Sequence, residues 1–385
     1  MAFERLLNHR RPQDLWLLGC ALLLAITGLV MVMSASLQIA ETKLGSPFYF
    51  FSRHLIYLLL AMSVGVLTYL LVPVVMLEQL RMLALIGAVL ILVAVLVPGI
   101  GREVNGSQRW IALPGFNIQA SEPAKLGYLI WLAGYISNQR DALRERWQTF
   151  LIPLAVLGLL SLLLLAEPDF GAAVVLGIAT MGMLFLAGVP MLRFLSVALT
   201  VVLAAAAVAL LQPYRVARLM SFLDPWADQF GGGYQLTQSL IAFGRGHIDG
   251  VGLGNSVQKL FYLPEAHTDF VFAVTAEEFG LIGSILLISL FIVLCARIFQ
   301  LAFRLLDKQQ VFSGQLVLGI ALVFASQAFV NMGVNMGLLP TKGLTLPLVS
   351  YGGSSLLVMA VMVALVLKIG TEATPQAPVR RRERR

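Results

Sequence analysis

Of the 385 residues, 59% are hydrophobic and only 12% are charged, and the mean hydropathy is +0.87, which excludes an ordinary water-soluble domain and makes the bilayer the main solvent. One helical membrane domain accounts for the chain, with no room for a second soluble one. The formal charge of +7 does not call for nucleic acid, because Arg380, Arg381, Arg382, Arg384 and Arg385 gather much of it in a terminal tail that suits an anionic membrane surface.

In chain order, residues 1–14 carry Arg5, Arg10 and Arg11 ahead of an apolar run from Leu15 to Met33. That run is too long for a secretory signal and Ser34-Ala35-Ser36 is a weak cleavage site, so it reads as an uncleaved first span. Helical spans are predicted at Leu15 to Leu37, His54 to Pro73, Met82 to Val97, Pro123 to Ser137, Phe150 to Ala166, Gly171 to Gly188, Met191 to Gln212, Phe270 to Arg297, Val311 to Gly337 and Leu346 to Lys368. The expected architecture is therefore an all-α polytopic membrane protein of about ten transmembrane helices, with a membrane domain over 15–370 and a basic tail over 371–385. Cys20 and Cys295 lie inside apolar runs and support neither a disulfide framework nor a Cys-rich metal site.

With both termini in the cytoplasm, Arg81, Arg140, Arg144, Arg146, Arg193, Arg297, Arg304 and Lys308 fall in short inner connections, in accord with the positive-inside rule. The outer side then holds a loop from Arg102 to Glu122, a corner at Glu167-Pro168-Asp169, a turn near Pro340-Thr341-Lys342, and a long segment over 213–269. Connections beyond about 12–15 residues are usually functional or disordered. This one contains Trp226, Tyr234, Phe243, Phe261 and Tyr262, so it is expected to pack on the membrane face or to re-enter the membrane in part.

Charged groups at the outer mouth of so apolar a chain need partners, water or ligand. Arg53, Arg109, Lys125, Arg215, Arg218, Arg245, Lys259 and Lys342 outnumber Glu122, Glu265, Asp269, Glu277 and Glu278 there, although the positive-inside rule depletes cations from that side. A polyanionic ligand at the outer face is the economical explanation.

The stretch Gly252 to Asp269 (GLGNSVQKLFYLPEAHTD), the following FVFAVTAEEFG of Phe270 to Gly280, and LPTKGLTLPLVSYGGSS of Leu339 to Ser355 resemble the signatures of the SEDS family (shape, elongation, division and sporulation). Supporting matches are GSQRWI from Gly106, SEPAK from Ser121, EPDFG from Glu167 and GYQLTQS from Gly233, in family order through nearly the whole membrane domain. The wording around Asp269 and Thr341-Lys342-Gly343 is nearer the division branch than the elongation branch. Pro123 departs from the family pattern and bears on where the fourth span starts.

The resemblance implies a bacterial inner-membrane enzyme, active on its outward face at the division septum. It would join the disaccharide units of lipid II into a nascent glycan, beside a class B penicillin-binding transpeptidase and other membrane proteins of the division machinery. A flippase for the lipid-linked precursor, a non-catalytic scaffold, and an elongation role are the alternatives. Asp269 is the implied general base, taking the proton of the attacking sugar hydroxyl in an inverting displacement of undecaprenyl pyrophosphate; spacing alone reads it first as the N-cap of the eighth span. As a residue at a helix N-terminus its carboxyl is expected to be held low. Arg53, Arg109, Lys125, Lys259 and Lys342 are the candidate pyrophosphate and headgroup contacts, each of which also reads as a cation snorkelling at a helix end. Glu122 is expected to pair with Lys125 at i and i+3. Glu277 is either a substrate contact or a buried structural hydrogen bonder. His267 is expected to orient its neighbours, and the glycines of Ser350 to Ser355 to pack helices closely. No cofactor is required; Mg²⁺ carried by the substrate pyrophosphate is compatible with these residues.

Overall fold

A computed structural model describes residues 14–104, 107–113, 116–210, 222–340 and 343–373. Lys342, Arg215 and Arg218 lie outside the described residues. Thirteen described helices run in the order α1 (Leu15–Leu44), α2 (Tyr49–Leu71), α3 (Val74–Gln79), α4 (Arg81–Leu96), α5 (Ser121–Asn138), α6 (Arg140–Glu145), α7 (Trp147–Ala166), α8 (Phe170–Leu186), α9 (Met191–Leu210), α10 (Tyr234–Gly246), α11 (Val271–Asp307), α12 (Val311–Asn335) and α13 (Gly353–Glu372). Every predicted span overlaps one of these helices. Six of them, α1, α2, α7, α11, α12 and α13, are long and apolar enough to cross a bilayer by themselves; α4, α8 and the described part of α9 are shorter apolar helices. The protein is a polytopic membrane protein.

Local chemistry sets several helix ends. Asp14 caps α1 by accepting from the Leu17 amide at 3.0 Å, and Gly45 ends it in the left-handed region at φ 68°. Asp169 caps α8 in the same way through the Ala172 amide. The last span starts at Gly353, not Leu346, because Thr345 to Gly352 is held as an irregular loop: Ser350 Oγ accepts from the Leu346 amide at 2.8 Å and the Tyr351 amide donates to His267 O at 3.0 Å.

Burial orders the helices. In α12 and α13, 78% of the most apolar window is buried, against 22% in α2 and α7, so the former pair lies inside the bundle and the latter turns leucines such as Leu59 and Leu162 outward, as a lipid solvent allows. α12 packs against α11, α5 and α8 and is the central helix.

Two features depart from an all-helical reading. The expected loop from Arg102 to Glu122 is an antiparallel three-stranded sheet, β1 (Gly101–Val104), β2 (Ser107–Leu113) and β3 (Phe116–Gln119), in the order β1-β2-β3. Its backbone groups pair with one another, and the Ala120 amide adds a bond to Arg109 O at 3.1 Å that leads the chain into α5.

The second departure is a break in α11. Thirty-seven residues would run about 55 Å as a straight helix, well beyond a hydrocarbon core of about 30 Å. At Gly280 the backbone leaves helical geometry, with φ 64° and ψ −158°, and the chain following α10 runs into the gap. Val251 and Gly252 amides donate to Glu277 O and Glu278 O, each at 3.0 Å, while Leu281 and Ile282 amides donate to His247 O and Ile248 O. Backbone groups freed by the break are thereby paired, as an apolar surrounding requires. A Cβ on Gly280 would stand 2.4 Å from the Gly250 amide nitrogen. Residues 247–252 of the long segment are thus inserted into the break of α11.

Candidate functional site

Beside the first turn of α11 lies a cavity of about 610 Å³. α2 contributes Arg53 and Tyr57, the sheet Arg109, Trp110 and Gln119, α5 Glu122, and the corner before α8 Asp169; Asp269, Thr345 and Ser354 close the remaining sides.

Asp269 stands half-buried in the wall. Its backbone carbonyl accepts from Asn331 Nδ2 at 2.9 Å and Asn335 Nδ2 at 3.0 Å. Asn335 Oδ1 in turn accepts from the Ala273 amide at 3.0 Å, one of the first-turn donors that a capping residue would otherwise take. Capping of α11 is therefore done from α12, and the Asp269 carboxylate forms no side-chain hydrogen bond among the described residues. Gly343 packs tightly over it, since a Cβ there would lie 2.8 Å from Asp269 Oδ2.

Burial pushes the Asp269 carboxyl up from 3.8 to about 7; the negative charges of Glu265 and Asp169 add to the rise and Arg109 opposes it. The expectation of a carboxyl held low by the helix end does not hold, because desolvation and two neighbouring carboxylates outweigh the dipole. Glu167, below the corner, is raised to about 8 by burial and by Asp169, again against Arg109; both its carboxylate oxygens are buried without a partner among the described residues. Burial also pushes the His267 pKa down, against Glu265, and its ring lies 4.6 Å from Phe50 and 5.6 Å from Tyr351.

Among the described residues, two cations reach the cavity. Arg109 Nε donates to Glu167 O at 3.0 Å and its Nη2 to Pro168 O, which fixes β2 to the corner and leaves the guanidinium charge without a carboxylate ion pair among the described residues. Arg53 is exposed, its guanidinium 4.7 Å from the Tyr49 ring centroid. Arg53, Arg109, Glu122 and Asp269 are thus brought to one cavity.

The other candidates are placed elsewhere. Lys125 is fully buried behind the cavity, 3.0 Å from Glu122 Oε1 and 2.9 Å from Gln327 Oε1, so it holds Glu122 and does not itself line the cavity. Glu122 Oε2 has no partner among the described residues. Lys259 lies 2.7 Å from Glu278 and 2.9 Å from Ser34 Oγ in a buried triad tying the outer segment to α1 and α11. Glu277 accepts from Arg245 Nε at 3.0 Å, from the Val257 and Gln258 amides, and from the Ser256 hydroxyl. Neither Lys259 nor Glu277 lines the cavity; both spend their charge pinning residues 256–259 against the first half of α11, since an unpaired buried charge is costly.

Asn331, Asn335 and Gln327, which set the position of Asp269 and Lys125, are absent from the sequence candidates. Their signal is their spacing: three amides four residues apart make one polar face on an otherwise apolar helix. Gln119 is also new, its Nε2 donating to Asp169 Oδ2 at 3.1 Å and so joining the sheet to the corner.

Residues 14–374 match the family model described as "Cell cycle protein". Curated relatives include a probable peptidoglycan glycosyltransferase FtsW of Alcanivorax borkumensis, 63% identical over 93% of this chain and 93% of the relative, and one of the same description from Hahella chejuensis, 54% identical over 94% and 90%. Among solved structures, a chain from work titled "Structural coordination of polymerization and crosslinking by a peptidoglycan synthase complex" superposes with a TM-score of 0.71 at 34% identity, over 90% of this chain and 97% of that one. Rod shape determining protein RodA of Thermus thermophilus gives 0.70 at 28% identity, over 94% and 98%.

Proposed function

Because the chain belongs to the SEDS family, the cell-cycle proteins that include FtsW and RodA, we propose that it is a peptidoglycan glycosyltransferase that polymerises lipid II into glycan strands in septal wall synthesis. The observation that carries this reading is Asp269: a carboxylate without a hydrogen-bond partner of its own among the described residues, raised to about 7, in the wall of a cavity whose mouth carries Arg53 and Arg109.

In the reaction, a sugar hydroxyl of the acceptor attacks the anomeric carbon of the lipid-linked donor. The new C–O bond forms as the bond to pyrophosphate breaks, and the hydroxyl proton passes to Asp269. A carboxylate near 7 is both available at neutral pH and a stronger base than an ordinary one. Charge developing on the leaving pyrophosphate is met by Arg53 and Arg109, as preorganised cations, with Lys342 beside Gly343 in sequence as a third. Glu122, held by Lys125, stands buried in the cavity wall behind these groups. A divalent cation would arrive on the pyrophosphate, because among the described residues no three His, Cys, Asp or Glu side chains are grouped to hold one.

The site faces outward in the inner membrane, with both termini cytoplasmic, and works at the septum beside an FtsI-like class B penicillin-binding transpeptidase. A flippase is the second reading, favoured by the broken helix α11, since transporters bind substrate at such breaks. Here the freed backbone groups are taken by residues 247–252 and the nearby Glu277 and Glu278 by Arg245 and Lys259, so these groups are already paired within the chain.

The test is lipid II polymerisation by the purified protein reconstituted with its transpeptidase partner. Wild type should make glycan while Asp269→Asn and Asp269→Ala, at matched folding and partner binding, make none. Variants that polymerise as well as wild type would remove Asp269 from the chemistry, and a wild type that only moves lipid II between leaflets would establish the flippase.

A further inference from the structure

Gln119 stands where three walls of the cavity meet. Its backbone amide donates to Ser354 Oγ at 3.1 Å, which seats the end of β3 on the start of α13. Its side-chain Nε2 donates to Asp169 Oδ2 at 3.1 Å and to Ser121 Oγ at 3.2 Å. A carboxylate only accepts, so the group facing Asp169 must be the NH2, and both of its protons are engaged there. The amide is thereby locked in one of its two orientations, with Oε1 turned away from the corner.

That oxygen accepts no hydrogen bond among the described residues, and it is not sealed from open space as the buried orphan atoms of Glu122 and Glu167 are. The open space against Gln119 is the cavity. One bond to Asp169 would suffice to join the sheet to the corner; two donated bonds do more, since they fix which end of the amide the cavity meets. Trp110 is the cross-strand partner of Gln119, so the two side chains leave the same face of the sheet, and both line the cavity. A ring beside a fixed acceptor suits a pyranose. The sugar's C–H groups are drawn to the negative face of an indole, and its hydroxyl and acetamido groups supply donors.

We propose that Gln119 Oε1 is a substrate contact, accepting a hydrogen bond from a donor group of a sugar ring that lies against Trp110. The proposal rests on the glycosyltransferase reading and adds to it an acceptor that selects the sugar, separate from the base and from the cations that meet pyrophosphate.

Asp169→Asn tests the oxygen without altering Gln119 itself. The new asparagine keeps an oxygen for the Ala172 amide that Asp169 caps and turns an NH2 toward Gln119. The Gln119 amide then reverses: its Oε1 accepts from that NH2 and from the Ser121 hydroxyl, and its own NH2 replaces the acceptor in the cavity. The bond between sheet and corner survives, and the acceptor is lost. Initial rates of glycan synthesis are measured over a range of lipid II concentrations, with the full-length protein reconstituted beside its transpeptidase partner. The pH is held near 8.5, where Asp269, at about 7, is ionised with or without the neighbouring charge of Asp169. Gln119→Met and Asp169→Asn should each raise KM about tenfold with kcat within about twofold of wild type. The double variant should be no worse than either, because both remove the same contact. A Gln119 that only joins the sheet to the corner gives Asp169→Asn a wild-type KM, since the joining bond is kept, and that result would overturn the proposal. Additive losses in the double variant would overturn it as well. Either outcome, with wild type still making glycan, leaves the glycosyltransferase reading standing.

Discussion

Raising the pH from 6 to 8 should increase the kcat/KM for lipid II about tenfold. The carboxyl of Asp269 sits at about 7 instead of 3.8, a difference of about 3 units, or about 4 kcal/mol in favour of the neutral form. A base of that pKa is ionised in about a tenth of the molecules at pH 6 and in about nine tenths at pH 8, and kcat/KM reports the free enzyme's ionisation. An ordinary carboxylate would give a flat profile over the same interval. The assay is the initial rate of glycan synthesis at subsaturating lipid II, with the transpeptidase partner present, from pH 5.5 to 8.5. Among the described residues Arg109 is the positive neighbour that lowers the Asp269 pKa, so Arg109→Gln should move the midpoint upward as well as reduce the rate. A flat profile together with an inactive Asp269→Asn would refute the burial argument while sparing the base. A tenfold limb that survives in residual activity of Asp269→Asn would assign the titration to Glu167 or another group.

Two structural predictions follow from the pinned outer segment. Lys259→Met leaves Glu278 buried without its cation and should cost about 3–5 kcal/mol, read as a lowered unfolding transition in detergent; Glu278→Gln should cost less, and combining Lys259→Met with Glu278→Leu should recover most of the loss. If Lys259→Met unfolds like wild type, the triad with Ser34 is not a support. Gly280→Ala places a methyl against the Gly250 amide nitrogen at a backbone conformation that alanine resists, and hydrogen exchange should show residues 247–252 losing protection while α12 keeps it; unchanged protection there would contradict the pairing of the inserted stretch.

The helical frame was legible because apolar runs near 20 residues have few other readings in so hydrophobic a chain. Charge placement likewise gave the Glu122–Lys125 pair, since i and i+3 neighbours meet on a helix whatever surrounds it. The break in α11 was not legible: Phe270 to Arg297 reads as one continuous apolar helix, and Gly280 is one glycine among 34. What breaks it is a backbone insertion from residues about 30 positions earlier in sequence, a non-local pairing that no window along the chain contains. The sheet over Gly101–Gln119 was hidden for a related reason, because its strands are short and stabilised by one another more than by a patterned face. Lys259 and Glu277 were grouped with the cavity cations and acids because the sequence reports that they are charged and near the outer mouth. Whether such a group faces ligand or partner depends on which side of its helix the inserted chain lies, and that is fixed only in three dimensions.

Asp269 has two sound sequence readings, and the structure removes one of them, since its side chain does not cap α11. An aspartate before an apolar helix is a good cap, and in an isolated α11 the first-turn amides would draw its carboxylate inward. Asn335 removes that pull by supplying the acceptor from α12, while Asn331 and Asn335 together hold the Asp269 carbonyl. Four residues before Asn331, on the same face, Gln327 accepts from Lys125 and donates to Thr345 O, so one stripe of amides on the central helix positions both the carboxylate and the buried cation behind Glu122. A leucine at any of these positions would suit the bilayer better. Their placement within an apolar, deeply buried helix costs solvation, and the groups they satisfy are the ones that keep the Asp269 side chain out of the helix cap.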